Sequence, residues 1–180
     1  MNIFVLHTNA QLSATMMCDK HIPRHIKHTA MMMAQALANH GVKETLLPSF
    51  YEHATHPCTM WAQQTRSNFQ WLAEHGFGLC REYSQRFDGK VHAAQGWILD
   101  MRALSEAIPE GELTPFKQHI PPEFEDEDAV KAYRTYYQTY FADYAKWERG
   151  TPAPHWWDSN EEVKVIDERE AMFKTLGLGA

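Results

Sequence analysis

Residues 17–38, MCDKHIPRHIKHTAMMMAQALA, decide the predicted fold because they form a clear amphipathic helix in the 180-residue chain. Asp19 is the expected N-cap, and Pro23 is tolerated in a first helical turn. Gly41 is expected to end the helix in a left-handed conformation. Apolar side chains recur every three or four residues and so share one helical face; they are Ile22, Ile26, Ala30, Met33 and Leu37. This face is therefore expected to pack against a core.

The rest of the chain mostly follows a helical period as well. Residues 2–7 could form a short strand or a buried extended lead-in, and residues 110–124, with several prolines, predict a long ordered loop. The sequence thus predicts a mainly α, compact single domain over residues 1–180, with long ordered loops and at most one short N-terminal strand. Further helices are expected over residues 9–17 (capped by Thr8 or Asn9), 57–87, 92–107, 126–149 (capped by Asp126 or Asp128) and 161–176.

Composition limits the class of protein. An apolar content of 44% excludes a disordered chain. No stretch approaches the roughly 20 apolar residues of a membrane span, and the start MNIFVLHT lacks the basic region of a signal peptide. The three cysteines are few and widely spaced, as in proteins with reduced thiols. We therefore expect a cytoplasmic protein without a membrane partner.

The charge is unevenly distributed along the chain. A net charge of -6 argues mildly against a nucleic-acid partner. However, 11 of the 23 acids lie in two C-terminal runs, 123–128 and 158–170, which leaves 12 acids against 15 bases elsewhere. This pattern is compatible with a basic face and equally with a mixed, solvated surface.

The N-terminal half of the helix predicted within residues 17–38 carries the first candidate site. Cys18, His21, His25 and His28 lie within about 80° of one another on a helix, beside the apolar face. Cys18, His21 and His25 could hold zinc or another divalent metal, with a fourth ligand from His53, His56 or Cys58.

The same helix segment is basic. Lys20, Arg24 and Lys27 lie close to a helix N-terminus, and His21 and His25 could add positive charge, which favours a bound anion such as phosphate. A solvated basic face is the alternative. We expect an anion-binding edge without a cofactor rather than a complete metal site.

Two other clusters could contact a substrate. In the first cluster, Trp61 belongs to the apolar stripe, whereas Arg66, Asn68 and Trp71 lie off it. A polar side chain beside an aromatic one could contact or stack on a base. Glu82 and Arg86 are i,i+4 partners, which indicates a surface salt bridge or a site carboxylate held by an arginine. The second cluster is an aromatic run of residues 133–147 that includes Arg134 and Tyr137.

Several short motifs in the chain resemble those of a known family. They are CDKH at 18–21, HPCTMW at 56–61, SNFQWL at 67–72, LTPF at 113–116, AYRTYY at 132–137, and the tryptophans and prolines of 147–157. Over nearly its whole length the chain resembles a small phage-associated family of pyrimidine-dimer DNA glycosylase-like proteins. The resemblance implies DNA repair or DNA modification in the host cytoplasm by a glycosylase, with or without AP lyase activity.

The resemblance also implies catalytic roles. The well-studied phage glycosylase is a compact helical protein that uses an N-terminal amine, a nearby glutamate and a basic helix on the DNA backbone. Here Asn2 is too large for efficient removal of Met1, so a lyase would need the amine of Met1 or of Lys20. The acid partner would be Asp19 or Glu82.

The main hypothesis is therefore a DNA-base-processing enzyme with DNA as its partner. Its expected catalytic residues are Asp19, Lys20, His21, His25 and Glu82. Its expected substrate-binding residues are Arg24, Lys27, Trp61, Arg66, Asn68, Trp71, Arg86, Arg134 and Tyr137. One alternative is a metal-dependent enzyme of nucleotide or phage DNA modification that uses Cys18, His21 and His25. Another is a non-enzymatic phage protein that binds a host partner or nucleic acid.

Overall fold

The computed structural model describes residues 2–49 and 55–158, and this part of the chain is mainly α-helical, as predicted. The expected helix 161–176 and the candidate ligand His53 lie outside the described residues. Within them, no helix is long and apolar enough to cross a membrane. The helices are α1 (Ala10–Thr15), α2 (His21–Asn39), α3 (Pro57–Ala62), α4 (Arg66–Arg86), α5 (Gln95–Ala103), α6 (Ala129–Tyr140) and α7 (His155–Asp158).

The two longest of these helices, α2 and α4, pack against each other and against α3 and α5, while α1 packs on α4. Two glycines of α4 permit close approach. A Cβ atom on Gly78 would lie 2.7 Å from the Cβ of Ala14, and one on Gly76 would lie 2.7 Å from Cγ2 of Thr29. The apolar face of α2 is buried in the resulting core, as predicted.

Residues 2–7 form a buried extended lead-in, and no strand occurs in the described part of the chain. Side chains form the hydrogen bonds to this segment's backbone that a neighbouring strand would otherwise form. Ser13 Oγ donates to Phe4 O at 2.9 Å and accepts from Leu6 N at 2.9 Å, and Arg134 Nε donates to Leu6 O at 2.8 Å. Because these buried polar groups are satisfied without a ladder, the segment needs no neighbouring strand.

The prediction of a single helix over residues 57–87 is wrong, because α3 and α4 are separate helices. The chain leaves the helix after Ala62, and Thr65 is extended with φ -138° and ψ 154°. Its hydroxyl accepts a hydrogen bond from Asn68 N and caps α4. The apolar period continues in phase across this break, so the period alone could not reveal it.

Three further details differ from the predictions. The N-cap residue of α2 is Lys20, without a side-chain cap, because Asp19 bonds elsewhere. The helix predicted over 92–107 is α5 followed by a 3-10 turn. The helix predicted through residue 149 is α6, which Asp128 caps but which ends at Tyr140. Beyond it, tryptophans of residues 147–157 pack back onto Tyr137 of α6, and this aromatic packing replaces a continued helix.

Candidate functional site

The polar stripe of α2 forms one wall of an open cavity of about 350 Å³. Three histidines follow one another along this wall. The ring centroids of His21 and His25 are 5.4 Å apart, and those of His25 and His28 are 5.2 Å apart. The N-terminal segment, the long loop and the end of α6 complete the cavity; the other lining residues are Asn2, Phe4, Arg24, His119, Tyr136 and Phe141.

The three imidazoles are neutral at physiological pH. Burial, with a smaller contribution from Arg24, lowers the pKa of His21 to about 4. Burial also lowers the pKa of His28 to about 4 and holds that of His25 well below its ordinary value. The expectation that His21 and His25 add positive charge is therefore not met. The cationic groups on this helix are the exposed side chains of Lys20, Arg24 and Lys27.

Tyr137 supports His21 from the core side. Its fully buried hydroxyl accepts a hydrogen bond from Cys18 N at 3.0 Å and lies 2.6 Å from His21 Nδ1. Burial raises the pKa of Tyr137 well above its ordinary value, so the hydroxyl keeps its proton. We assign this proton as the donor to His21 Nδ1, because a neutral imidazole has one acceptor nitrogen. The proton of His21 itself is then on Nε2.

The remaining wall is aromatic. The Phe4 ring lies 5.3 Å from that of His21 and 4.8 Å from that of His25, measured between centroids. Phe141 packs edge-on against His21 at 4.7 Å, and Tyr136 lies 5.7 Å from Phe141. Flat apolar surfaces beside neutral hydrogen-bonding rings suit a planar, weakly polar ligand group.

Asn2 joins distant segments at the cavity. Its Nδ2 donates to His119 O at 2.9 Å, and its Oδ1 accepts from the Tyr133 hydroxyl at 3.0 Å. The His119 ring packs against His56 at 4.8 Å. Sequence reasoning missed Asn2 and His119, since one is the first residue of a presumed strand and the other lies in a loop without periodicity. Only the fold brings them to the stripe of α2.

Arg86 lies in a buried network instead of a surface salt bridge, and its side chain is 0% exposed. Nε and Nη2 both donate to Glu82 Oε2, at 2.8 and 2.6 Å. Nη1 donates to Asp19 Oδ1 at 3.0 Å. Two further bonds reach the carbonyl oxygens of Met17 and Thr15. All five N–H groups of the guanidinium thus have acceptors within the protein.

The two carboxylates of this network are also bonded to the segment that follows α6. Asp19 Oδ2 accepts from Glu148 N at 2.7 Å, and Glu82 Oε2 accepts from the Thr151 hydroxyl at 2.9 Å. Neither Asp19, Glu82 nor Arg86 lines the histidine cavity. Their arrangement ties α2, α4 and the chain after α6 together, which is a structural role.

Most of the predicted substrate-binding side chains are also engaged within the fold. Asn68 Nδ2 donates to Trp61 O at 2.8 Å and to Thr114 Oγ1 at 2.7 Å, and Thr114 N donates back to Asn68 Oδ1 at 2.9 Å. The buried indoles of Trp61 and Trp71 donate to backbone carbonyls of Pro115 and Thr8. The bonds to Thr114 and Pro115 hold the loop 110–124 against α3 and α4, and the bond of Trp71 holds Thr8 against α4.

The two predicted arginines outside α2 and the network have protein contacts as well. Arg66 Nη2 donates to Glu106 O at 3.5 Å. The guanidinium of Arg134 lies 5.4 Å from the centroid of the Trp156 ring, besides its bond to Leu6 O. Of the predicted catalytic and substrate-binding residues, the cavity lining brings together His21, Arg24 and His25.

No group of three or more His, Cys, Asp or Glu side chains among the described residues is placed to hold a metal ion. Cys18 is fully buried, and its backbone N–H is bonded to Tyr137. Burial raises the pKa of the Cys58 thiol to about 11, which disfavours the thiolate that a metal needs. Among the described residues, Cys18, His21 and His25 are therefore not placed as the alternative of a metal site requires.

No protein-family model, curated protein or solved structure matches the chain. The resemblance to the glycosylase-like family therefore stays a prediction. Support for a function comes instead from the geometry of the cavity and its surroundings.

Proposed function

We propose that the protein processes bases in damaged or modified DNA by binding an unstacked nucleobase in the histidine cavity and hydrolysing its N-glycosidic bond. The cavity itself carries the proposal, because neutral imidazoles face aromatic rings and exposed cations lie on the same helix. Its volume of about 350 Å³ falls within the range typical of small-ligand sites. Enzymes that act on a base commonly hold it in such a pocket, between aromatic side chains and hydrogen-bonding groups.

His21 is the proposed hydrogen-bond donor to the departing base. Because Tyr137 occupies Nδ1, the Nε2–H of His21 is left for a ligand. The N–H of a neutral imidazole can donate this hydrogen bond to the negative charge that develops on the departing base, and the imidazole stays neutral as it does so. Tyr137 acts as a positioning residue, since it holds the tautomer and the ring orientation.

His28, which is only partly buried, is the proposed general base, with His25 between the two other rings. The oxygen of a water molecule bonds to C1′, and a water proton passes to His28. The bond between C1′ and the base breaks, and its electron pair leaves with the base. The base then takes the proton from His28, which restores the neutral imidazole.

A lyase step is not included in this proposal. Lys20 is exposed, and its Nζ lies 4.6 Å from the centroid of the Tyr144 ring. It is not a lining residue of the cavity. The alternative nucleophile, the amine of Met1, lies outside the described residues. Because Lys20 does not line the cavity, we expect base release without strand cleavage by Lys20.

The test is cleavage of the N-glycosidic bond in DNA that has been UV-irradiated, deaminated or alkylated, with new abasic sites measured by mass spectrometry, because a base cut within a pyrimidine dimer stays attached to its neighbour. His21→Asn is expected to slow release by about 100-fold, the scale of a lost catalytic hydrogen bond or proton transfer. His92→Asn is the matched control, because His92 does not line the cavity and the hydrogen bond that its Nδ1 accepts from Ala94 N can be kept by asparagine. Borohydride is expected to trap no covalent adduct.

Other outcomes would contradict the proposal. If folded protein binds these DNAs but releases no base, the non-enzymatic binding alternative is favoured. If activity requires a stoichiometric metal and is lost with a chelator, the metal-dependent alternative is favoured. A borohydride-trapped peptide that contains Lys20 or Met1 would restore the lyase.

A further inference from the structure

A row of tyrosines continues from the cavity onto the protein surface. Tyr136 lines the cavity, and its ring centroid lies 5.1 Å from that of Tyr140. Phe141 connects Tyr140 and Tyr144, at 5.8 and 6.0 Å between centroids. Tyr140 is 64% exposed and Tyr144 is 39% exposed. Tyr136, Tyr140 and Tyr144, the tyrosine row, thus form a line of partly or largely exposed rings that begins at the cavity.

A line of cations runs beside the tyrosine row. Lys20 Nζ lies 4.6 Å from the centroid of the Tyr144 ring, and Tyr144 also packs against His21 at 5.3 Å. Arg24 and Lys27 follow Lys20 at spacings of one helical turn, and all three side chains are exposed. From Lys20 to Lys27 the line extends about 10 Å along α2. It can therefore follow a few consecutive phosphates of one strand.

Acidic side chains lie near the cavity end of the tyrosine row. Phe124 packs against Tyr136 at 5.3 Å, and exposed Glu123 and Glu125 flank Phe124 in the chain. Glu127 and Asp128 are exposed just before α6. A second phosphate backbone near these acids would meet like charges, which are repulsive. The charge pattern thus favours a ligand with one backbone over a duplex.

We propose that the substrate is single-stranded DNA. Its backbone follows Lys20, Arg24 and Lys27, and the bases next to the target stack on Tyr140 and Tyr144. This inference rests on the proposed function for the placement of the target base in the cavity. Stacking on exposed aromatic rings beside a cationic line is a general way to bind single strands with little sequence preference, since every base has a flat face.

The test measures fluorescence anisotropy with a labelled mixed-sequence oligonucleotide of about 15 nucleotides, alone and annealed to its complement. We expect the single strand to bind at least about tenfold more tightly than the duplex. Tyr140→Ala and Tyr144→Ala are each expected to weaken single-strand binding by about tenfold, the scale of one lost stacking contact. Lys20→Ala is expected to reduce the slope of log affinity against log salt by about 0.7.

Trp97→Ala is the matched control, because Trp97 is an aromatic residue of α5 that is 37% exposed and does not line the cavity. The affinity of the Trp97→Ala variant for the single strand is expected to be unchanged. Tyr140→Trp is expected to retain binding, which separates loss of stacking from loss of folding.

The two proposals fail in different ways. Equal or tighter duplex binding, or no effect of Tyr140→Ala and Tyr144→Ala, would overturn the single-strand inference even if base release from duplex DNA is observed. Tyrosine-dependent single-strand binding without release of any base would overturn the proposed function and leave this binding surface intact.

Discussion

The Arg86 network and the histidine cavity start at the same turn of the chain but differ in how their polar groups are used. Asp19 lies only two residues before His21, yet it is bonded to Arg86 and to Glu148 N. In the network every N–H of Arg86 has a protein acceptor, whereas the imidazoles of the cavity face open volume. A saturated polar cluster stabilises the fold, and an unsaturated one can bind a ligand.

The largest effect is expected where the network loses its cation. Arg86→Met leaves the carboxylates of Asp19 and Glu82 buried without their partner and should lower the free energy of unfolding by about 3–5 kcal/mol. Urea denaturation at neutral pH measures this loss. Arg102→Met is the control, because the pair of Arg102 with Glu74 is largely exposed and should contribute less than about 1 kcal/mol. Similar small losses in both variants would mean that the network is not structural.

Glu82→Gln tests directly whether the network takes part in catalysis. It keeps the shape of the side chain but removes the charge that Arg86 and Thr151 contact, so it should cost about 1.5–3 kcal/mol of stability. The rate of base release per folded molecule should stay within about twofold of that of the unsubstituted protein. A rate that falls by about 100-fold, as for a lost general acid or base, would return Glu82 to the active site.

Tyr137→Phe tests the link between core and cavity. It removes the hydroxyl that joins Cys18 N to His21 Nδ1 and should cost about 1–2 kcal/mol, because two buried polar groups lose their partner. Thermal and urea denaturation measure this cost. In Tyr140→Phe the hydroxyl lost belongs to a side chain that is 64% exposed, so a change below about 0.5 kcal/mol is expected. Equal costs would show that the hydroxyl of Tyr137 does not stabilise the core.

The smallest effect concerns acid sensitivity. His75 stacks on Trp71 at 5.3 Å, neither of its ring nitrogens has a hydrogen-bond partner among the described residues, and burial lowers its pKa to about 3. Unfolded His75 takes up a proton below about pH 6.5, whereas the folded protein does not until about pH 3. Its contribution to stability is therefore complete above the unfolded pKa and is lost as the pH falls.

His75→Phe keeps the stack and removes this titration. Between about pH 7.5 and pH 6, the variant should lose about 1 kcal/mol less stability than the unsubstituted protein, as measured by urea denaturation at each pH. Parallel losses in the two proteins would mean that His75 is protonated equally in the folded and unfolded states.

Much of the helical fold could be predicted, and so could part of the cavity. The 3.6-residue period marked α2 and most of α4, and cap residues marked the starts of α1 and α6 at Asn9 and Asp128. The polar stripe of α2 placed His21 and His25 together beside the apolar face. The break after Ala62 escaped prediction because its apolar spacing stays in phase.

The buried position of Glu82 and Arg86 could not be predicted from the sequence. A glutamate and an arginine four residues apart have the same appearance in sequence whether they lie on a surface or in a core. For Glu82 and Arg86, burial depends on Thr15, Asp19 and Thr151, which are distant in the chain. Asn2 and His119 carried no periodic signal at all, so their place at the cavity could not be inferred.

Local features could be inferred from the sequence alone: an amphipathic α2 with a histidine stripe, several helix starts, and the left-handed Gly41 beyond α2, with φ 80°. These depend on side chains within one or two helical turns of each other. In contrast, the packing of the folded chain sets which polar groups are buried and paired and which face open volume. Burial and hydrogen-bond partners come from segments far apart in the chain, and no local pattern encodes them.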